Sequence, residues 1–331
     1  VIDGPVFLTG LAVFGAGSAL LVLRGLVASP LVGVRLDGAG ALRFGVNAAI
    51  VASMVALMAF AWSWFAVPRA LEPRAYYELL FWGGGHVLQF TWTLLVLVAW
   101  LLLADASGVR VPVSPRVVVL LFGIQLVAVF ATTLVYLAYD VTSVEHHRLQ
   151  TWLMRLGGSL AIPVVAIAVA VGLAGRARVG PVPAAAQPLL SALVVSLLLF
   201  CAGGAIGFLI RGSDVRIPAH YHGTIVGITI ALMGLTYWLL PRLGAAPPRV
   251  RLAVAQPLLY GAGQLVHIAG LLWSGGYGVQ RKVAGGEQVL RTTSEIAGMG
   301  LMGLGGLVAV IGGMLFVVVV ALSVRDRPRA P

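Results

Sequence analysis

About nine apolar runs, each long enough to cross the roughly 30 Å of hydrocarbon in a bilayer, constrain this chain more than any other feature. They fall near 5–28, 43–67, 77–103, 116–138, 150–174, 188–210, 219–241, 252–275 and 295–323. Hydrocarbon offers no partner to a backbone N–H or C=O, so only helices and closed barrels span it, and runs of this length select helices. The joints carry breakers: Ser29-Pro30, Pro68 to Pro73, Pro112 to Pro115, Pro181-Val182-Pro183 and Pro247-Pro248. The reading is all-α: a polytopic transmembrane bundle forming one domain over residues 1–331, with no soluble domain, internal repeat or low-complexity segment. The chain opens on Val1 without an initiator Met or a cleavage signal, so it is expected to be N-terminally incomplete.

Charge then has to be placed. A formal net charge of +11 would suggest nucleic acid in a soluble chain. Here the 22 basic residues, all arginine but Lys282, lie between the apolar runs. Positive-inside topology and lipid headgroups account for most of them, so membrane lipid is the expected partner and nucleic acid is not. Weaving about nine helices puts 13 of them on one side, Arg329 included, and 9 on the other, which sets the C-terminus in the cytoplasm. Cys201 is the one cysteine, which excludes a disulfide framework and disfavours a cysteine metal site.

The six histidines carry the chemistry. In that topology His86 lies in the outer half of the third helix and His146 and His147 at the outer end of the fourth. His220 and His222 lie at the outer start of the seventh, and His267 in the outer half of the eighth. An intramembrane imidazole is costly unless a proton partner or a metal uses it, and scattered structural histidines have no reason to share one leaflet. His220 and His222 are turned about 200° apart on a helix that Pro218 is placed to begin, so each needs its own partner. Three neutral imidazoles with an open position suit copper or zinc, and His86 with His146 and His147 supply such a set. Adjacent histidines diverge by about 100° on an ideal helix, so they converge only where the helix ends or is distorted. The polar run Asp140 to Glu145 provides for that.

These segments together resemble the catalytic subunit I of the haem-copper oxidases, in a divergent branch. Leu80 to His86 resembles the helix of the first copper ligand, Glu145-His146-His147 the paired copper ligands, and Ser159 to Pro163 the helix that follows. Phe200 to Gly207 resembles the helix before the haem-ligand helix, Ile217 to Gly223 that ligand helix, and Gly263 to Gly270 with Gln280-Arg281-Lys282 the eleventh helix and the basic pair after it. The order is the family's, and the chain resembles helices four to twelve.

The resemblance implies a terminal respiratory oxidase that reduces O2 to water in a bacterial or archaeal cytoplasmic membrane, with the metal sites near the outer face. It implies two haems and one copper. His220 would be the proximal ligand of the high-spin haem, and His222 an axial ligand of the low-spin haem. His86, His146 and His147 would hold the copper. Arg281 and Lys282 would pair with propionates, or are solvated loop cations. His267 matches no ligand of the family and either supports a neighbouring ligand or packs. Implied partners are a cytochrome c-like or copper-bearing donor subunit and other oxidase subunits, and the resemblance extends to coupling with proton translocation.

Departures keep a second chemistry open. Phe90 stands where many oxidases have a tyrosine, Leu88 replaces an acid, and the proton-channel lysine is absent from Ile162 to Ile167. Tyr139 either approaches the site from another helix or is an interfacial aromatic. Glu145 either orients a ligand and relays protons or is a surface acid. Nitric oxide reduction, with non-haem iron in place of copper, is the alternative within the superfamily. A histidine-lined transporter is the alternative outside it.

Overall fold

A computed structural model describes residues 4–29, 35–283 and 288–327. Val1, Pro30 of the first joint and Arg329 of the basic tally lie outside the described residues. The described residues form helices α1 (Pro5–Ala28), α2 (Gly38–Ala66), α3 (Pro73–Ala106), α4 (Pro115–Ala138), α5 (Val144–Leu153), α6 (Ala161–Arg176), α7 (Gln187–Gly207), α8 (Arg216–Leu239), α9 (Val250–Gly276) and α10 (Thr293–Arg325), with no named strand among them. Eight of the described helices are long and apolar enough to cross a membrane, α5 and α6 counting as one span over Val144–Arg176. The protein is multi-pass and all-α. Helix α9 is not among the eight, for it carries Arg251, Gln256, Gln264 and His267.

The fifth apolar run departs from its expected form. It begins at Val144 rather than near 150, and it breaks at a π turn, Met154–Gly158. Two glycines, Gly157 and Gly158, lower the helix propensity there, and Pro163 removes the N–H that would bond the Ser159 carbonyl. That carbonyl instead accepts from the Ile162 N–H at 3.1 Å, and the Ser159 hydroxyl donates to the Arg155 carbonyl.

The chain divides into two compact units. One comprises the described residues up to Val98 with Pro112–Ala170, the other Ala99–Val111 with the described residues from Val171 onward. In the first, α2 buries a stripe of Ala48, Ala49, Ala52, Ala56 and Ala59. Gly45 lets Phe122 approach, since a Cβ there would stand 2.5 Å from its ring. Such small residues let membrane helices pack closely, where no hydrophobic drive favours protein over lipid.

In the second unit α7 and α8 meet through Gly203, Gly223 and Gly227, and a Cβ on Gly203 would come within 2.8 Å of the Gly223 Cα. Fully buried Trp100 donates to Ser196 at 2.8 Å, and Ser196 donates to the Gly227 carbonyl at 2.6 Å. Helices α9 and α10 touch through glycines at sevenfold spacing, Gly263 and Gly270 against Gly298, Gly305 and Gly312. Tyr237 donates to Gln256 at 3.0 Å, and Gln256 donates to the Gly312 carbonyl at 3.3 Å. A Cβ on Gly312 would lie 2.6 Å from the Tyr260 backbone. Gly312→Leu is therefore expected to cost more than the ~1–3 kcal/mol of ordinary overpacking, read as a lower unfolding midpoint in detergent, with Gly313→Leu, beside open space, as the neutral control.

Candidate functional site

Two histidine clusters arise, one in each unit. The first depends on how α4 ends. The Asp140 carboxylate accepts from the Thr142 backbone N–H at 2.8 Å and from its hydroxyl, while Ser143 caps α5 by accepting from the His146 N–H at 3.2 Å. Those bonds from Thr142 hold the Asp140 carboxyl below the usual range, so it stays charged at neutral pH. The tight turn puts His146 and His147 in the first turn of α5, where a helix is beginning.

The imidazoles differ in environment. His147 Nδ1 bonds the Ser143 carbonyl at 2.8 Å, and His86 Nδ1 bonds the Trp82 carbonyl at 2.7 Å. With Nδ1 donating, each ring keeps Nε2 as its lone-pair donor, the arrangement that orients metal-binding histidines. His146 is buried, at 1% exposure, and neither ring nitrogen has a hydrogen-bond partner. Its orphaned nitrogens are what a ligand to an ion would leave in the protein alone.

The three rings are neighbours without converging. Trp82 lies against both His86 and His147, with centroids 4.7 and 4.8 Å away, and His146 stands 6.0 Å from His147. Among the described residues no three His, Cys, Asp or Glu side chains meet as a metal centre. The donor chemistry fits a three-imidazole site, and closing it on one ion requires the Trp82 and histidine side chains to shift.

Tyr139 was the expected tyrosine, but the one packed against His146 is Tyr136. Tyr139 caps α4 in extended conformation, is 40% exposed, and lines an outward cavity of about 290 Å³ with Trp62, Tyr136 and Asp140. Tyr136 is 5% exposed, packs edge-on against His146 with centroids 4.7 Å apart, and bonds Ser63 at 3.0 Å. Gly83 makes room for its hydroxyl. A signal was available: Gln125, Thr132 and Tyr136 share one face of α4 at helical spacing. Glu145 is exposed in the first turn of α5, where the helix dipole favours an acid. Phe90 is fully buried, its ring 3.5 Å from where a Cβ on Gly157 or Gly158 would stand.

In the second cluster His220 and His222 have separate neighbours. Helix α8 starts at Arg216, two residues before Pro218, because Asp214 accepts from the Arg216 N–H at 2.8 Å. His220 Nδ1 bonds the Gly203 carbonyl of α7 at 2.7 Å, and the missing side chain of Gly207 leaves space beside its ring. His222 packs against His267 of α9 with centroids 4.8 Å apart, and His267 Nδ1 bonds the Met302 carbonyl at 2.9 Å. That contact between α8 and α9 was not readable from spacing within either helix.

The segment holding Arg281 and Lys282 is tied to the start of α8. Val215 N–H donates to the Val279 carbonyl at 3.0 Å, Asp214 bridges to Gln280, and Arg281 Nε donates to Ser213 at 3.0 Å. Lys282 takes a left-handed φ of 60°. Burial alone would raise the Asp214 carboxyl, but the hydrogen bonds and charge of Arg216 outweigh it and hold it low. What this pair adds to stability is present at neutral pH and is lost only as pH falls through the lowered pKa.

No family profile matches the chain. It is 28% identical over 311 residues to the uncharacterized protein RP382 of Rickettsia prowazekii (strain Madrid E), covering 82% of this chain and 60% of that protein. A cytochrome c oxidase subunit 1 of Thermus thermophilus is 32% identical over 101 residues, 27% of this chain and 94% of that protein. Among solved structures, a heme-copper terminal oxidase dimer superposes with a TM-score of 0.65 at 17% identity, covering 88% of this chain and 57% of that one. The chain thus spans less than two thirds of the length of RP382 and of the solved oxidase chain.

Proposed function

The chain belongs to the haem-copper oxidase superfamily, and on that footing we propose that it is the catalytic part of a terminal oxidase that reduces O2 to water. The observation that carries this reading is His146, a buried imidazole with both nitrogens unpartnered, flanked by His86 and His147, whose Nδ1 atoms bond backbone carbonyls, with the Thr151 hydroxyl 3.5 Å from His86 Nε2. His86, His146 and His147 would hold copper, and His220 the high-spin haem. His222 would be an axial ligand of a low-spin haem, and Arg281 and Lys282 would pair with propionates. When bound, these groups supply electron transfer and the site at which oxygen is reduced.

The chain's own residues do the rest. The carbonyls of Trp82, Ser143 and Gly203 fix three imidazole tautomers, so a lone pair on Nε2 is held ready. Tyr136 brings a phenol O–H, held by Ser63, beside His146, and a phenol can give both a proton and an electron where Phe90 can give neither. Tyr136 therefore takes the role first sought in Tyr139. A cytochrome c-like or copper-bearing subunit at the outer face of a bacterial or archaeal cytoplasmic membrane would deliver the electrons.

Turnover of the purified, haem-loaded protein with a reduced donor tests this. Oxygen consumption well above nitric oxide consumption is expected, with copper rather than non-haem iron bound. Tyr136→Phe is expected to lower oxygen turnover by about 100-fold, the scale of one positioned proton donor, and Tyr139→Phe to change it less than twofold. Faster consumption of nitric oxide, or equal effects of the two substitutions, would overturn the assignment.

A further inference from the structure

The ends of α2 and α4 line an open cavity of about 290 Å³. Trp62 stands near the end of α2 and Tyr136 in the last turn of α4, while Tyr139 and Asp140 lie in the backbone that leaves α4. Trp62 leans on Tyr136 with ring centroids 5.6 Å apart and planes at 50°, so the two rings make a corner. Aromatic residues at the ends of membrane spans commonly face lipid headgroups singly, as a belt. Tyr136 does not, for it is buried and its hydroxyl is bonded to Ser63.

The remaining wall is a carboxylate. Both bonds from Thr142 go to Oδ1 of Asp140, and Oδ2 has no partner among the described residues. No arginine or lysine among the described residues forms an ion pair with it. Arg69, in the loop that follows α2, lies over Trp64 at 4.9 Å, and Trp64 is turned about 200° from Trp62 on that helix.

These walls select a ligand by charge. A carboxylate is ionised at neutral pH, and the face of an aromatic ring carries negative potential, most of all in tryptophan. Anions are repelled by both. A metal ion needs several oxygen ligands, and the side chains here offer one carboxylate among ring faces. A substituted ammonium satisfies the whole set, with its charge toward Asp140 and its alkyl groups against the rings. The volume lies at the small end for a ligand pocket, which suits a headgroup rather than a large molecule.

We propose that this cavity binds a substituted ammonium group, carried by a lipid headgroup or by a free organic cation, with Trp62, Tyr136 and Tyr139 as its walls and Asp140 as the counter-charge. The site stands without the oxidase reading, since neither haem nor copper enters it. Tyr136 belongs both to this cavity and to the contact with His146, so the bound cation sits one ring away from that histidine.

Choline, titrated by calorimetry into the purified full chain in phosphatidylglycerol nanodiscs, is the probe. Saturable binding is expected, and the uncharged carbon isostere of choline, with tert-butyl in place of trimethylammonium, should bind at least about 10-fold more weakly. Asp140→Asn keeps Oδ1 as the acceptor for Thr142, and with it the turn, while removing the charge. It and Trp62→Leu are each expected to weaken choline at least about 5-fold, and Trp62→Phe less than Trp62→Leu. If Trp62→Leu fails to fold, the isostere and Asp140→Asn carry the test. Repeating the titration in phosphatidylcholine nanodiscs identifies the source: choline binding that disappears assigns the site to a lipid headgroup, and binding that persists assigns it to a free cation. No saturable binding in phosphatidylglycerol, equal affinity for the isostere, or parental affinity in Asp140→Asn overturns the proposal.

Discussion

Replacing His220 with alanine is expected to remove high-spin haem from the purified protein by more than about 10-fold while leaving the helices assembled. The ring is held by one bond, from Nδ1 to the Gly203 carbonyl, and by the close approach of Gly207. Neither contact carries the α7–α8 packing, which runs through Gly203, Gly223 and Gly227 and through Trp100, Ser196 and the Gly227 carbonyl. Far-UV circular dichroism should therefore stay unchanged while the haem absorbance falls. Gly203 cannot be tested by side-chain removal, so a useful companion is Gly207→Val, which crowds the imidazole and should weaken haem binding without deleting the ligand.

His146→Leu separates function from stability. In the metal-free protein the two buried nitrogens of His146 have no partner, and each orphaned group costs about 1–3 kcal/mol. Against this stands the edge contact with Tyr136, worth about 0.5–1.5 kcal/mol. The balance favours leucine, so the metal-free variant is expected to unfold at the same temperature as the parent or higher. Copper content measured on the same preparation is expected to fall more than about 10-fold, with haem retained. A variant that loses stability and keeps its copper would show that His146 is a packing residue.

Much of this was legible in the residues. Segment lengths and the Pro-rich joints marked the helices, and the polar run Asp140 to Glu145 marked a break beside His146 and His147, but the pair expected at the outer end of the fourth helix instead opens α5, after the turn that Asp140 and Ser143 hold. The opposed directions of His220 and His222 followed from helical geometry alone, and the structure gives them different neighbours, Gly203 and His267. Other features depended on tertiary register. Tyr139 was the nearer tyrosine in sequence, yet α4 stops at Ala138, and the extended backbone of Tyr139 takes its ring out of helical phase. The contact of His222 with His267 is set by how α8 meets α9, which no spacing within one helix encodes. The π turn at Met154–Gly158 needed Gly157, Gly158 and Pro163 to be weighed together against an otherwise unbroken apolar run.

The optical spectrum of the purified wild-type chain, recorded oxidised, reduced and reduced with carbon monoxide, bears most directly on whether imidazoles from separate helices grip a porphyrin. A Soret band that shifts on adding carbon monoxide, and that is lost in His220→Ala, is the expected result. A colourless protein, or a carbon monoxide response that survives removal of His220, would contradict the account.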